Sequence, residues 1–501
     1  MRDGKGSGFS SSRVADVPSV QPSDPAGYFD AAAGRPLHPV AVQAWQAAAE
    51  DGWADPGKLA GPSRRSALLL DAARETVAEA FGLAPDEVSF LPSGVHALQS
   101  AVLGAAYARR ARGARIVHSA VEHSAVLHAI QWHVRRGGLA VPVGVDAHGK
   151  VSASEFLAAV NAPGTAAAVL QAANHEVGTR QPVEAVAAQL RDVPLVVDVG
   201  HQVVFGAVPD GADIAAADAR LWGGPGLGIL IVRRGRSFEP PFPREDPEFG
   251  RSAGVPDVPA AVAAAAALRA VRMDREADAV RLAGYLDDLR RQIAQFPDAV
   301  VLGDPVDRLP HLLTLSLLHV DGQVLLDGLE RSGFIVSSGS SCTSDTLTPS
   351  HVLVAMGALT TGNIRISLHP GVNARAVERF AQALPSVLAD ARAQLPGAAP
   401  LQAGPQTTTP NVVDSRGRRC PLPVLDLARA LPLIDVGTEL LVLADDPAAG
   451  SDIEAWCRMR GQELVDVRPA APDTGQPPGT PAAVPATAAR SETAFRVRRL
   501  S

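Results

Sequence analysis

The sequence predicts an α/β protein in successive units: a large domain of mainly parallel sheet, a smaller α/β domain, and a small two-layer α/β domain behind a linker. Three observations predict this. From Tyr28 to about Pro256, short apolar runs alternate with alanine-rich amphipathic segments, the pattern of strands and crossover helices. Residues 395–410 (LPGAAPLQAGPQTTTP) have the Pro/Gly/Thr composition of a linker. A fresh globular segment then begins at Asn411.

Taken in order, residues 1–25 are a polar, Ser/Gly-rich tail expected to be disordered. The large domain is expected over 26–260, its first strand region free to pack with the small domain. Its strands are read at Glu87 to Leu91, Arg115 to Ser119, Leu139 to Val143, Ala166 to Gln171, Pro194 to Val197 and Gly228 to Val232. Several are apolar throughout, as parallel strands buried on both faces are. A long helical stretch within Pro256 to Phe296 leads into the small domain, expected over 261–394. The last domain spans 411–501, with a Pro/Ala/Thr-rich disordered insert at 470–490 and a final strand in Thr493 to Arg499.

Composition narrows the function. The 501 residues are 46% hydrophobic, enough for several buried cores, and carry a net charge of -7. Without basic clusters interleaved with aromatics, no direct nucleic-acid surface is expected. The most apolar runs fall short of the ~20 residues of a membrane helix, and the tail lacks the features of a signal peptide. Three widely spaced cysteines make a disulfide framework unexpected and point to a reducing compartment, so a cytoplasmic protein is expected. Lysine is scarce: Lys5, Lys58 and Lys150 are the whole set.

Two cysteines stand in segments suited to sulfur chemistry. Cys420 lies in D-S-R-G-R-R-C-P-L-P-V-L, just ahead of a proline suited to a helix's first turn. The helix dipole, with Arg418 and Arg419, is expected to favour its thiolate. This segment, with D-D-P at Asp445 to Pro447, S-D-I at Ser451 to Ile453 and W-C-x-x-x-G from Trp456, resembles the TusA-type (SirA-like) sulfur carriers. The resemblance implies a persulfide on Cys420; Cys457 is assigned to packing.

In the large domain, polar residues fall at the carboxyl ends of the predicted strands, where parallel sheets bind ligands. They are Ser93 and Gly94, His123, Asn174 and Asp198. The helix starting under Ser93 and Gly94 would offer backbone N–H groups to a phosphate. Singly, Asn174 reads as a turn former, His123 as a surface histidine and Asp198 as a helix cap. Their order, however, resembles the cysteine desulfurases of the class V aminotransferases, a pyridoxal phosphate (PLP) family of fold type I. The resemblance rests on Y-F-D-A-A-A from Tyr28, A-R-E-T-V-A-E-A-F-G from Ala73, V-E-H-S-A-V from Val121, N-H-E-V-G from Asn174, V-V-D ending at Asp198, V-S-S-G-S-S-C-T-S-D-T-L-T-P-S-H-V-L-V-A-M-G from Val336, and I-R-I-S-L from Ile364.

The match implies that His123 stacks on the pyridine ring, Asn174 faces its hydroxyl and Asp198 pairs with its nitrogen. It also implies that Cys342 is the sulfur-accepting nucleophile and that Arg365 holds the substrate carboxylate. A homodimer is expected by the same likeness.

The pattern breaks at the aldimine lysine. Counting back from the glycine-rich turn places Arg220 there, and counting forward from Asp213 gives Leu221. A guanidinium stays protonated and is a poor imine-forming nucleophile. His96 replaces the phosphate-binding threonine, Ala217 and Ala219 the serine and histidine before the lysine, and His201 a glutamine near the ring hydroxyl. Gly254-Val255 stands where a Gly-Thr pair reaches the partner subunit's phosphate. Three readings follow. One is a desulfurase passing sulfur from L-cysteine through Cys342 to Cys420, with PLP held noncovalently. Another is a PLP-free pseudoenzyme or sulfurtransferase relaying persulfide sulfur from another donor to a downstream acceptor protein. The third is a dimerisation platform only.

Overall fold

The computed structural model describes residues 25–338 (except 244 and 297), 349–394, 411–469 and 492–501. The Cys342 loop, the linker, the 470–490 insert and nearly all of the N-terminal tail therefore lie outside the described residues.

Seven strands build the large sheet: β1 (Val88–Leu91), β2 (Arg115–Ser119), β3 (Leu139–Val143), β4 (Thr165–Val169), β5 (Leu195–Asp198), β6 (Ile214–Asp218) and β7 (Gly228–Val232). Their order is β1-β7-β6-β5-β4-β2-β3. Only β7 runs antiparallel, against both β1 and β6, so the other six strands aim their carboxyl ends at one edge. β4 to β7 are buried almost throughout, as apolar runs covered on both faces must be. β6 is a strand the sequence reading missed. Its residues, I-A-A-A-D, are mostly alanine, which favours helix; the strand forms because it is enclosed between β5 and β7.

The expected domain boundary at 261 is corrected. The helical stretch is two helices, Val258–Met273 and Arg275–Ile293, meeting at Asp274. The first buries its alanine face in the large-domain core, while Leu282, Leu286, Leu289 and Ile293 of the second enter the small-domain core. The division therefore falls near Asp274. The small domain has a three-stranded antiparallel sheet of β8 (Ala299–Leu302), β9 (Leu312–Leu317) and β10 (Asn363–Ser367), ordered β10-β9-β8. Phe29, from the start of the chain, is fully buried in its core, with bridges from Tyr28 to Ile335 and from Asp30 to Ser367 beside it.

The last unit pairs β11 (Val412–Asp414), β12 (Glu439–Ala444), β13 (Glu463–Pro469) and β14 (Thr493–Arg498) in the order β11-β12-β14-β13. Helices Leu422–Ala430 and Ala449–Met459 cover this sheet. Leu318 and Leu359 of the small domain join its apolar core, so the two units share a packed face.

Candidate active site and carrier cysteine

The carboxyl ends of β1, β5 and β6 and the turns beyond β2 and β4 converge on a cavity of about 340 Å³. Gly94, His123, His175, Glu176, Asp198, His201, Asp218, Arg220, Leu221 and Arg365 line it. The two candidates for the missing lysine's position, Arg220 and Leu221, thus both face the cavity.

At one end of the cavity lie His123 and Asp198. The Asp198 carboxylate accepts from the Gly200 N–H at 3.0 Å, and burial pushes its pKa up. His123 caps helix Ser124–Val134 through Nδ1, and burial lowers its pKa. His175, which sequence reasoning passed over although it adjoins Asn174, lies edge-on to His123 at 4.9 Å between ring centroids. Burial, the neighbouring His123, His201 and His351, and Arg365 push it well below the ordinary histidine value, and its Nδ1 is buried without a hydrogen-bond partner. His201 is buried too, and desolvation takes it down to about 3. Arg365 donates to Asp30 at 2.7 Å and to the His175 carbonyl at 3.2 Å, leaving Nε buried and unpartnered. Orphaned nitrogens on His175 and Arg365, both lining a cavity, mark a place for a small ligand.

Two assignments are corrected. Asn174 does not line the cavity: its Oδ1 accepts from the Glu176 and Val177 N–H groups, each at 2.8 Å, and its Nδ2 donates to the Val121 carbonyl. It is fully buried as a turn former, the alternative its residue type had suggested. His96 turns its ring edge-on to Phe242, 5.6 Å away, rather than into the cavity.

The phosphate end differs most. Ser93 caps helix Gly94–Ala108, its Oγ accepting from the His96 N–H at 3.2 Å. Against Gly94 lies the Asp218 side chain, so close that a Cβ added at Gly94 would stand 2.5 Å from its Oδ2. Arg220 reaches back to this carboxylate with Nη2–Oδ2 at 2.8 Å. Of the described lysines, Lys150 is bound to Asp307 at 2.6 Å and Lys58 pairs with Asp55 on the surface, so neither reaches the cavity.

In the last domain, Cys420 stands half-buried just ahead of helix Leu422–Ala430. The expected thiolate is not what its surroundings favour. Burial and the nearby Asp452 and Asp446 carboxylates push its pKa far up, and Arg418 is drawn off to Asp426 at 2.6 Å. The Asp452 carboxylate, itself fully buried, accepts from the Thr360 N–H (2.6 Å), Thr360 Oγ1 (2.9 Å) and Thr361 Oγ1 (2.7 Å) of the small domain. Arg458 donates to the Gly357 carbonyl at 2.6 Å beside it. Cys457 is buried in the carrier core.

Comparison with known proteins fits this architecture. The family described as Aminotransferase class-V matches residues 27–380. The chain belongs to the class V aminotransferase family. Its last unit matches Sulfurtransferase TusA over residues 411–474. Among curated class V relatives, a cysteine desulfurase of Cereibacter sphaeroides is 33% identical over 381 residues, covering 74% of this chain and 97% of its own. An IscS-like cysteine desulfurase of Mycobacterium tuberculosis is 34% identical, covering 73% and 97%. Of solved structures, a NifS-like protein superposes with a TM-score of 0.67 at 25% identity, covering 72% of this chain and 99% of its own. The apo cysteine desulfurase of Thermococcus onnurineus NA1 gives a TM-score of 0.65 at 20% identity, covering 72% and 94%, and supports the fold. A class V desulfurase-like chain joined to a TusA carrier is a sulfur-transfer architecture. No helix among the described residues is long and apolar enough to cross a membrane.

Proposed function

We propose that the chain relays sulfane sulfur within itself, from a persulfide on Cys342 to Cys420, and then to a separate acceptor protein. The observation that carries this reading is the grip of the small domain on the carrier. Thr360 and Thr361 hold Asp452, and Asp452 is one of the two carboxylates against the Cys420 thiol. The gripping segment directly follows helix His351–Met356, which itself follows the Cys342 loop in sequence. The donor loop and the acceptor's dock are thus neighbours along the chain. A 16-residue linker (395–410) spans on the order of 20 Å, which keeps the carrier at roughly millimolar effective concentration.

The chemistry balances without an added oxidant or reductant. The Cys420 sulfur attacks the outer sulfur of the Cys342 persulfide, one S–S bond forms and one breaks, and Cys342 leaves as a thiolate. The proton of Cys420 must go elsewhere, and Asp446 and Asp452 stand beside it. Burial raises the pKa of Asp452, which makes it a better proton acceptor than an exposed carboxylate. Arg365, with Nε free, and His175 are the groups that would receive the carboxylate-bearing part of a small donor, whether L-cysteine or a low-molecular-weight persulfide.

The test loads the protein with glutathione persulfide and follows persulfide on each cysteine by mass spectrometry. With Thr360→Val and Thr361→Val combined, Cys420 loading should slow by about tenfold or more while Cys342 loading is unchanged. An unchanged Cys420 rate would refute the docked relay.

A further inference from the structure

The cavity keeps the ring end of a coenzyme site and lacks its phosphate end, and that division has a structural cause. A phosphate at a helix start needs free N–H groups and no competing anion. Here the first residue of helix Gly94–Ala108 is covered by Asp218, whose Cβ, Cγ and Oδ2 would lie 2.3, 2.6 and 2.5 Å from a Cβ at Gly94. The Asp218 carboxylate also receives the Arg220 N–H at 2.9 Å and its guanidinium, so it is fixed in place from two directions. Gly254, which by the resemblance would face the partner subunit's phosphate rather than line this cavity, donates its N–H to Glu245 Oε2 at 3.0 Å. At each of the two places where the family's pattern puts a phosphate, the chain has set a carboxylate of its own.

We infer that Asp218, fixed by Arg220, is a built-in plug that closes this cavity to pyridoxal phosphate, leaving room only for ligands without a phosphate. The arrangement is self-consistent. Arg220, one of the two candidates for the lysine position and without imine chemistry to offer, instead neutralises the carboxylate that occupies the phosphate's place. His123 and Asp198 keep an environment suited to an uncharged or cationic ring, and the unpartnered nitrogens of His175 and Arg365 suit a small carboxylate. Sulfur would then enter the chain already as sulfane sulfur, from a persulfide donor, because withdrawing it from cysteine needs the coenzyme's electron sink. The plug stands on geometry apart from the relay proposed above, so either can fail without the other.

The experiment is equilibrium binding of PLP and of pyridoxal, its phosphate-free counterpart, to the full chain, read by absorbance and in the absence of any sulfur donor. The wild-type protein should bind PLP no more tightly than pyridoxal. Asp218→Gly should raise PLP affinity by roughly 100-fold with little change for pyridoxal, since only the phosphate meets the vacated helix start. Asp218→Asn, which keeps the side chain's shape and removes its charge, should give a smaller gain in the same direction and controls for folding. Adding Arg220→Lys to Asp218→Gly should produce a PLP adduct on residue 220 that borohydride fixes and mass spectrometry locates. Wild-type protein that binds PLP more tightly than pyridoxal would overturn the inference. So would an Asp218→Asn variant whose preference between the two ligands is unchanged.

Discussion

Around the cavity, buried carboxylates set the pH behaviour of the large domain. Glu122 is fully enclosed; Oε1 accepts from the Gln171 N–H at 3.0 Å while Oε2 has no partner, and desolvation pushes its pKa to about 8. Glu176, bonded to Ser350, is raised to about 7 by the same cause. Because the folded state holds these protons more tightly than the unfolded chain, their contribution to stability is complete below the ordinary carboxylate range. It fades as pH rises, and is lost above about 7 for Glu176 and about 8 for Glu122. Glu122→Gln should therefore flatten the fall in stability and be more stable than wild type at pH 9 by about 1–2 kcal/mol, measured by denaturant unfolding. A variant less stable than wild type at that pH would contradict the protonated assignment. Single residues were unevenly legible in the sequence. His123 and Asp198 follow strand ends and landed in the cavity, whereas Asn174 turned to its own backbone. The thiolate expected at Cys420 is disfavoured by the burial of the thiol and by Asp452 and Asp446, which approach from elsewhere in the domain, and sequence spacing records neither.

Among the elements, β1, β6 and the helix after β1 decide the site. The strand β6 was hidden by its alanines, and with it the position of Asp218, whose role depends on lying beside Gly94 across the sheet edge. That juxtaposition links two segments more than a hundred residues apart, so no local pattern could announce it. β1 is held from outside by a buried ion pair. Arg74 of helix Gly61–Phe81 binds both oxygens of Glu248 at 2.7 and 2.8 Å, between the rings of Phe90 and Phe249. Glu248 Oε2 also accepts from the Phe90 N–H at 2.6 Å. Glu248→Ala leaves Arg74 charged, buried and unpaired, and should cost about 3–5 kcal/mol in thermal or chemical unfolding. A loss under about 1 kcal/mol would mean that the pair is not what ties helix, strand and loop together.

For the whole molecule, the order of units was legible because each carries its own alternation of apolar runs and its own motifs. The seam between large and small domains was misplaced because helix Val258–Met273 is alanine-rich on every side and so does not declare which core it joins. Which faces meet was not legible at all: Leu318 and Leu359 read as ordinary small-domain residues, yet they complete the carrier's core. That shared face makes the fusion more than a tether, since it presents the carrier with Asp452 already engaged and Cys420 beside it. The central claim, that sulfur passes between the two cysteines of one chain, is tested most directly by a site-resolved mass-spectrometric time course after addition of glutathione persulfide to wild type and Cys342→Ala. The account predicts persulfide on Cys342 first and Cys420 second in wild type, with Cys420 loading about tenfold or more slower in the variant. Equal Cys420 loading in both proteins would contradict it.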